Sequence, residues 1–175
     1  MRNIFIGLML VFIDFNLNIG SSQIGLIPDF AGYIVLAAGL REMAGESNMF
    51  AKAGPFASGM AVYTGIIYLM DLFGVSASLG VFSYFLGLIS TAVSLYISYC
   101  IVLGVKDMES KYGCFLNGPS LNSAWTLLAI FSLISFLLLF IPVMGVISII
   151  VSFVAAICFL VAFNKSKNLY YGMFG

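Results

Sequence analysis

The chain reads as an all-α, polytopic membrane helix bundle: six transmembrane helices arranged as three hairpins, with both termini on the cytoplasmic side. Three observations predict this. Of 175 residues, 62% are hydrophobic and only 8% are charged, against about 25% charged residues in a soluble domain. Apolar stretches approaching the roughly 20 residues that cross a hydrocarbon core recur along the chain. The seven Lys and Arg residues fall in alternate connections only. Too few charges remain to cover a water-facing surface, which excludes soluble enzymes, secreted disulfide modules, disordered tails and nucleic-acid binders.

The expected spans, taken in order, are about 4–18, 28–40, 55–73, 79–105, 123–141 and 146–163, forming one integral membrane domain over residues 1–175. The first is short and is interrupted by Asp14 and Asn16. Arg2 ahead of an apolar run has the outline of a signal peptide, but no A-x-A cleavage site follows, so a retained helix is expected. Pro28 and Pro55 open the second and third spans. No charge separates Lys111 from Lys165, a stretch too long for one span, and Pro142 with Gly145 divides it into the fifth and sixth.

Arg2 precedes span one, Arg41 and Lys52 lie between spans two and three, and Lys106 and Lys111 lie between four and five. Lys165 and Lys167 follow span six. All seven cations therefore share one side, which the positive-inside rule assigns to the cytoplasm. Trp125, Tyr170 and Tyr171 fit an aromatic belt at that interface.

Missing chemistry narrows the function. Histidine is absent, which removes imidazole ligands and His-dependent nucleophiles. Cys100, Cys114 and Cys158 lack C-x-x-C spacing and read as reduced structural residues. No phosphate-binding loop, dinucleotide fingerprint or nucleophile elbow is present. The reading is therefore of a non-enzymatic protein without cofactor, metal or nucleic-acid partner.

Small residues recur at helical spacing: Gly87, Ser90 or Thr91, Ser94 and Ser98 in span four, Ala57, Ala61 and Gly65 in span three, and Ser148, Ser152 and Ala155 in span six. These read as helix–helix seams, because small side chains let backbones approach. A pore-lining role is the sharper alternative for span four. The pentapeptides Gly39-Leu40-Arg41-Glu42-Met43 and Gly104-Val105-Lys106-Asp107-Met108 match at the ends of spans two and four. Duplicated hairpins are one source of such a match; two independent helix ends are the simpler one.

Of the seven acids, Glu42, Glu46, Asp107 and Glu109 sit near cations on the basic side. Asp14, Asp29 and Asp71 fall toward the opposite end, where no cation exists to neutralise them. A carboxylate at a helix centre costs about 2.5–3.5 kcal/mol on insertion scales, less near the interface. Asp29 after Pro28 suits a first helical turn; Asp71 at a helix C-terminus and Asp14 within a span have no such role. Helical spacing places Gly7, Val11, Asp14 and Asn18 on one face and Thr64, Tyr68 and Asp71 on another. Converged, the three acids with Asn18, Thr64 and Tyr68 would bind a proton, a cation or a cationic solute, the carboxylates sharing a proton at neutral pH. Separated, each would reach water at headgroup level.

The run Leu26-Ile27-Pro28-Asp29-Phe30-Ala31-Gly32-Tyr33, followed by Ile34-Val35-Leu36 and the Gly39-Leu40-Arg41 ending, resembles a P-D-F-x-G-Y pattern of uncharacterised small multi-pass membrane proteins of Gram-positive, Clostridium-like bacteria. The resemblance implies a multi-pass protein of a bacterial cell membrane and carries no established activity. The functions the residues suggest are a small transport-related protein with a cation or proton site at the outer side, or a membrane scaffold or regulatory subunit contacting a protein partner or a second copy. An intramembrane aspartyl enzyme is a third reading, but Tyr68-Leu69-Met70 before Asp71 departs from the G-x-G-D type of signature. The lipid bilayer is the one partner that composition itself requires.

Overall fold

The computed structural model describes residues 1–12, 16–19, 22–25, 28–73, 81–138 and 142–174. Its elements are α1 (Arg2–Phe12), β1 (Asn16–Ile19), β2 (Ser22–Gly25), α2 (Asp29–Glu42), α3 (Asn48–Leu72), α4 (Val81–Tyr112), α5 (Gly118–Leu138) and α6 (Pro142–Phe174). The architecture is helical, with one short antiparallel hairpin pairing Asn16 with Gly25 and Ile19 with Ser22.

Among the described residues, four helices are long and apolar enough to cross a membrane: α3, α4, α5 and α6. At 1.5 Å per residue, α4 with 32 residues and α6 with 33 each run nearly 50 Å, well past a hydrocarbon core of about 30 Å. The first two helices are shorter than their neighbours. α1 has 11 residues and α2 has 14, about 16 and 21 Å. The expected helical face through Gly7, Val11, Asp14 and Asn18 does not form, because α1 stops at Phe12 and Asn18 lies in β1. Asn and Ser, which recur here at positions 16, 18 and 22, are residue types that disfavour a helix interior.

The other helices extend beyond the apolar stretches. α3 starts at Asn48 because Ser47 caps it, its Oγ accepting from the Met49 N–H at 3.1 Å, and Pro55 lies inside the helix. α5 starts at Gly118, where the Glu109 carboxylate accepts from the Leu116 and Gly118 N–H groups at 2.7 and 2.9 Å. Trp125 consequently sits about two turns inside α5. In α6 nothing between Asn164 and Tyr171 breaks a helix, so Tyr170 and Tyr171 belong to it.

Each helix packs on its neighbours in chain order, and α1 returns to α6 to close the ring. Phe12 meets Phe159 at 6.1 Å, Lys167 Nζ lies 4.3 Å over the Phe5 ring, and the Arg2 N–H donates to Tyr171 Oη at 3.2 Å. All neighbours run antiparallel, so Arg2, Arg41, Lys52, Lys106, Lys111, Lys165 and Lys167 gather at one end of the bundle.

α1 and α2 touch backbone to backbone. A methyl group on Gly7 would lie 2.6 Å from the Leu36 nitrogen, so only glycine permits the approach. Polar seams join the remaining pairs. Trp125 Nε1 donates to Ser98 Oγ at 3.1 Å, linking α4 to α5. Ser135 Oγ reaches the Ser148 carbonyl and Ser152 Oγ reaches the Phe131 carbonyl, both at 2.8 Å, linking α5 to α6. The hydroxyls of Ser98 and Ser152 from the expected stripes therefore bond between helices, in keeping with close packing in lipid.

Burial is uneven along the bundle. Ile4, Leu8, Leu36, Leu40, Phe50, Ile97, Ile101, Met108, Leu121, Phe159 and Phe163 are almost fully buried, and all lie in the half nearer the cations. In the other half Ile66, Leu69, Leu72, Phe85, Ile89, Leu137 and Val143 are exposed.

Candidate functional site at the end remote from the cations

Asp29 is the first residue of α2. Pro28 stands before it in an extended conformation (φ −64°, ψ 133°) and supplies no side-chain cap. The acid thus occupies the first turn, where free N–H groups and the helix dipole favour negative charge. Asp29 is half-buried, and its Oδ1 is shielded from solvent.

One turn along the same face is Tyr33, which is 3% exposed. Its hydroxyl lies 2.5 Å from Ser94 Oγ of α4. Ser94 donates its own proton to the Ser90 carbonyl at 2.8 Å, so Tyr33 is the donor to Ser94. That bond ties α2 to α4 past α3. Tyr63 of α3 adds a second link, donating to the Leu86 carbonyl of α4 at 3.0 Å.

Phe30, next to Asp29, packs edge-to-face on Tyr68 of α3 with ring centroids 5.7 Å apart. A methyl on Gly65 would meet the Phe30 Cβ at 3.8 Å. At that distance a methyl would make ordinary van der Waals contact, so Phe30 lies against α3 beside Gly65 without requiring a glycine there. Asp71 follows Tyr68 by three residues in α3. The start of α2 and the last turns of α3 consequently share one end of the bundle, and no Lys or Arg lies there. About 20 Å of helix α2 separates Asp29 from Glu42 at the basic end.

Of the expected cluster, Asp29 precedes Phe30, whose ring packs on Tyr68. Thr64 takes a different role: its Oγ1 donates to the Met60 carbonyl one turn back, at 2.8 Å. Asn18 lies in the hairpin, opposite Gln23. Asp14 and the side chains of Asn18 and Asp71 lie outside the described residues. Tyr33 and Ser94 enter the site in addition. The Asp29–Tyr33 spacing of four residues carries the signal for Tyr33, whereas its pairing with Ser94 has no trace in sequence.

No protein-family model, no curated protein sequence and no solved structure matches this chain.

Proposed function

We propose that the protein is a small transport-related membrane protein of a bacterial cell membrane, binding a cation, a proton or a cationic solute at its outer end. In this reading the basic end faces the cytoplasm, so both termini and the Arg41–Lys52 connection are inside and α1–α2 form a short hairpin beside four full spans. Binding falls to Asp29 and Asp71, with Tyr68, Tyr33 and Ser94 as neutral oxygen partners. Thr64, Asp14 and Asn18 remain candidates for the periphery of the site.

The observation that carries the reading is the Phe30–Tyr68 contact, which sets Asp29 beside the acid-bearing end of α3 and opposite every cation in the chain. Ionisable residues at membrane depth mark binding and translocation sites by default. The polar groups nearby are hydroxyls, which suit hard cations and protons better than anions or soft metals.

The test is a thermal-shift titration of the purified protein with Na⁺, K⁺, Ca²⁺ and pH, repeated for Asp29→Asn and Asp71→Asn. At least one cation or proton should stabilise the parent in a saturable way, and either substitution should weaken that response at least tenfold in concentration. A parent indifferent to all four, or variants that respond as the parent does, would overturn the proposal.

A further inference from the structure

The matching pentapeptides in the basic-end turns of α2 and α4 take similar places against the helix before, although α2 ends at Glu42 and α4 runs on to Tyr112. Each glycine receives the first turn of the preceding helix. A methyl on Gly39 would lie 2.5 Å from the Ile4 nitrogen, and one on Gly104 would lie 2.6 Å from the Phe50 ring. The next residue is fully buried in both, Leu40 and Val105 at 0%. The cations Arg41 and Lys106 are exposed, and the methionines Met43 and Met108 are 5% and 0% exposed.

The acids complete the match. Glu42 accepts from Asn3 Nδ2 at 2.5 Å, and Asp107 accepts from Ser47 Oγ at 2.6 Å. Each donor stands at the N-terminus of the helix just before. Glu42 is the last residue of α2, where the dipole disfavours a carboxylate, whereas Asp107 lies five residues inside the end of α4. What the two acids share is a donor at the start of the preceding helix, where the dipole favours negative charge: Asn3 for Glu42 and Ser47 for Asp107. The third hairpin lacks the pattern: α6 passes this level with Asn164-Lys165-Ser166-Lys167.

We propose that α1–α2 and α3–α4 are two copies of one clasped helical hairpin, and that the two clasps hold the basic end of the bundle shut. The copies are fastened to each other through Glu46 of the α2–α3 turn. It accepts from Tyr112 Oη at 2.5 Å and pairs with Lys111 Nζ at 3.4 Å, both at the end of α4. Among the described residues, most of the largest fully buried side chains, including Ile4, Leu40, Phe50, Ile101, Met108 and Phe163, lie at this end. The gate role rests on the transport reading; the equivalence of the clasps does not.

The experiment uses single-cysteine reporters in a background of Cys100→Ala, Cys114→Ser and Cys158→Ala. Met43→Cys reports on the first clasp and Met108→Cys on the second, read as the rate of labelling by a membrane-impermeant maleimide in open membrane fragments. Both reporters should label slowly in the parent. Glu42→Ala should accelerate the reporter at position 43 about fivefold and spare the one at 108, and Asp107→Ala should do the reverse. Asn3→Ala and Ser47→Ala should each reproduce the effect of losing their partner, while Glu42→Gln, which keeps an acceptor, should label as the parent does. Unchanged rates in all variants, or both reporters opening together in each, would overturn the proposal. Because labelling needs no cation, a null cation titration at Asp29 would overturn the transport reading and leave this result standing.

Discussion

Replacing Gly7 with alanine tests the closeness of α1 and α2 directly. In a helix free of neighbours the change gains about 1 kcal/mol, because alanine has less backbone freedom to lose. At Gly7 the new methyl would lie 2.6 Å from the Leu36 nitrogen and 2.7 Å from its Cα and Cβ. Those are backbone-level contacts, and Leu36 is 1% exposed and cannot swing aside. Relieving them means separating the helices, and overpacking of this kind costs about 1–3 kcal/mol. Gly54 and Gly59 on α3 have no atom within 4 Å of a built methyl group, so there the propensity gain should appear alone. The propensity gain is common to both sites, so the two classes should differ by the overpacking cost, about 1–3 kcal/mol. At roughly 2–4 °C per kcal/mol for a chain of this size, Gly7→Ala should melt well below Gly54→Ala in the same detergent. Equal melting temperatures would refute the close packing on which the first hairpin depends.

Two further expectations follow from the polar seams and the basic end. Ser135→Ala removes the hydroxyl that bridges α5 to the Ser148 carbonyl and Ser152; it should destabilise by about 0.6–1.7 kcal/mol, measured by denaturation in mixed micelles, whereas Ser123→Ala, whose hydroxyl only bonds back to Pro119, should be nearly silent. Glu46 is held below its usual value of 4.5, first by the Tyr112 hydroxyl and then by Lys111. Its contribution to stability is thus present above about pH 4.5 and is lost as pH falls through the lowered value. Melting curves from pH 7 to pH 3 should show a smaller acid-induced drop in Glu46→Gln than in the parent, and identical drops would refute the assignment.

The candidate site and the clasps illustrate different degrees of legibility. Asp29 and Tyr68 could be named from sequence because an uncompensated acid in an apolar context is conspicuous, and helical spacing orders residues on one helix. Their proximity could not be named, since it depends on Phe30 lying across α3 at Gly65 and Tyr68. For Tyr33 the four-residue spacing from Asp29 is legible, but its partner is not, since nothing in the sequence sets Ser94 of α4 against it. Asn18 was misplaced because its spacing from Gly7 and Val11 fits a helix, while its own chemistry ends one.

Composition and the order of charges along the chain suffice for the membrane class, the alternation of the hairpins, the break at Pro142 and the small-residue seams. All of these follow from the energy of placing each residue in lipid or in water, a property that needs no neighbour. Which faces turn inward is different. These helices are apolar all round, and in lipid an apolar side chain gains little by leaving the tails for the interior. Hydrophobic periodicity therefore carries almost no directional signal. The closure of α1 onto α6, the burial at the basic end, the Tyr33–Ser94 bond and the paired acids arise from shape and hydrogen bonding between segments distant in sequence, and only the folded bundle brings those together.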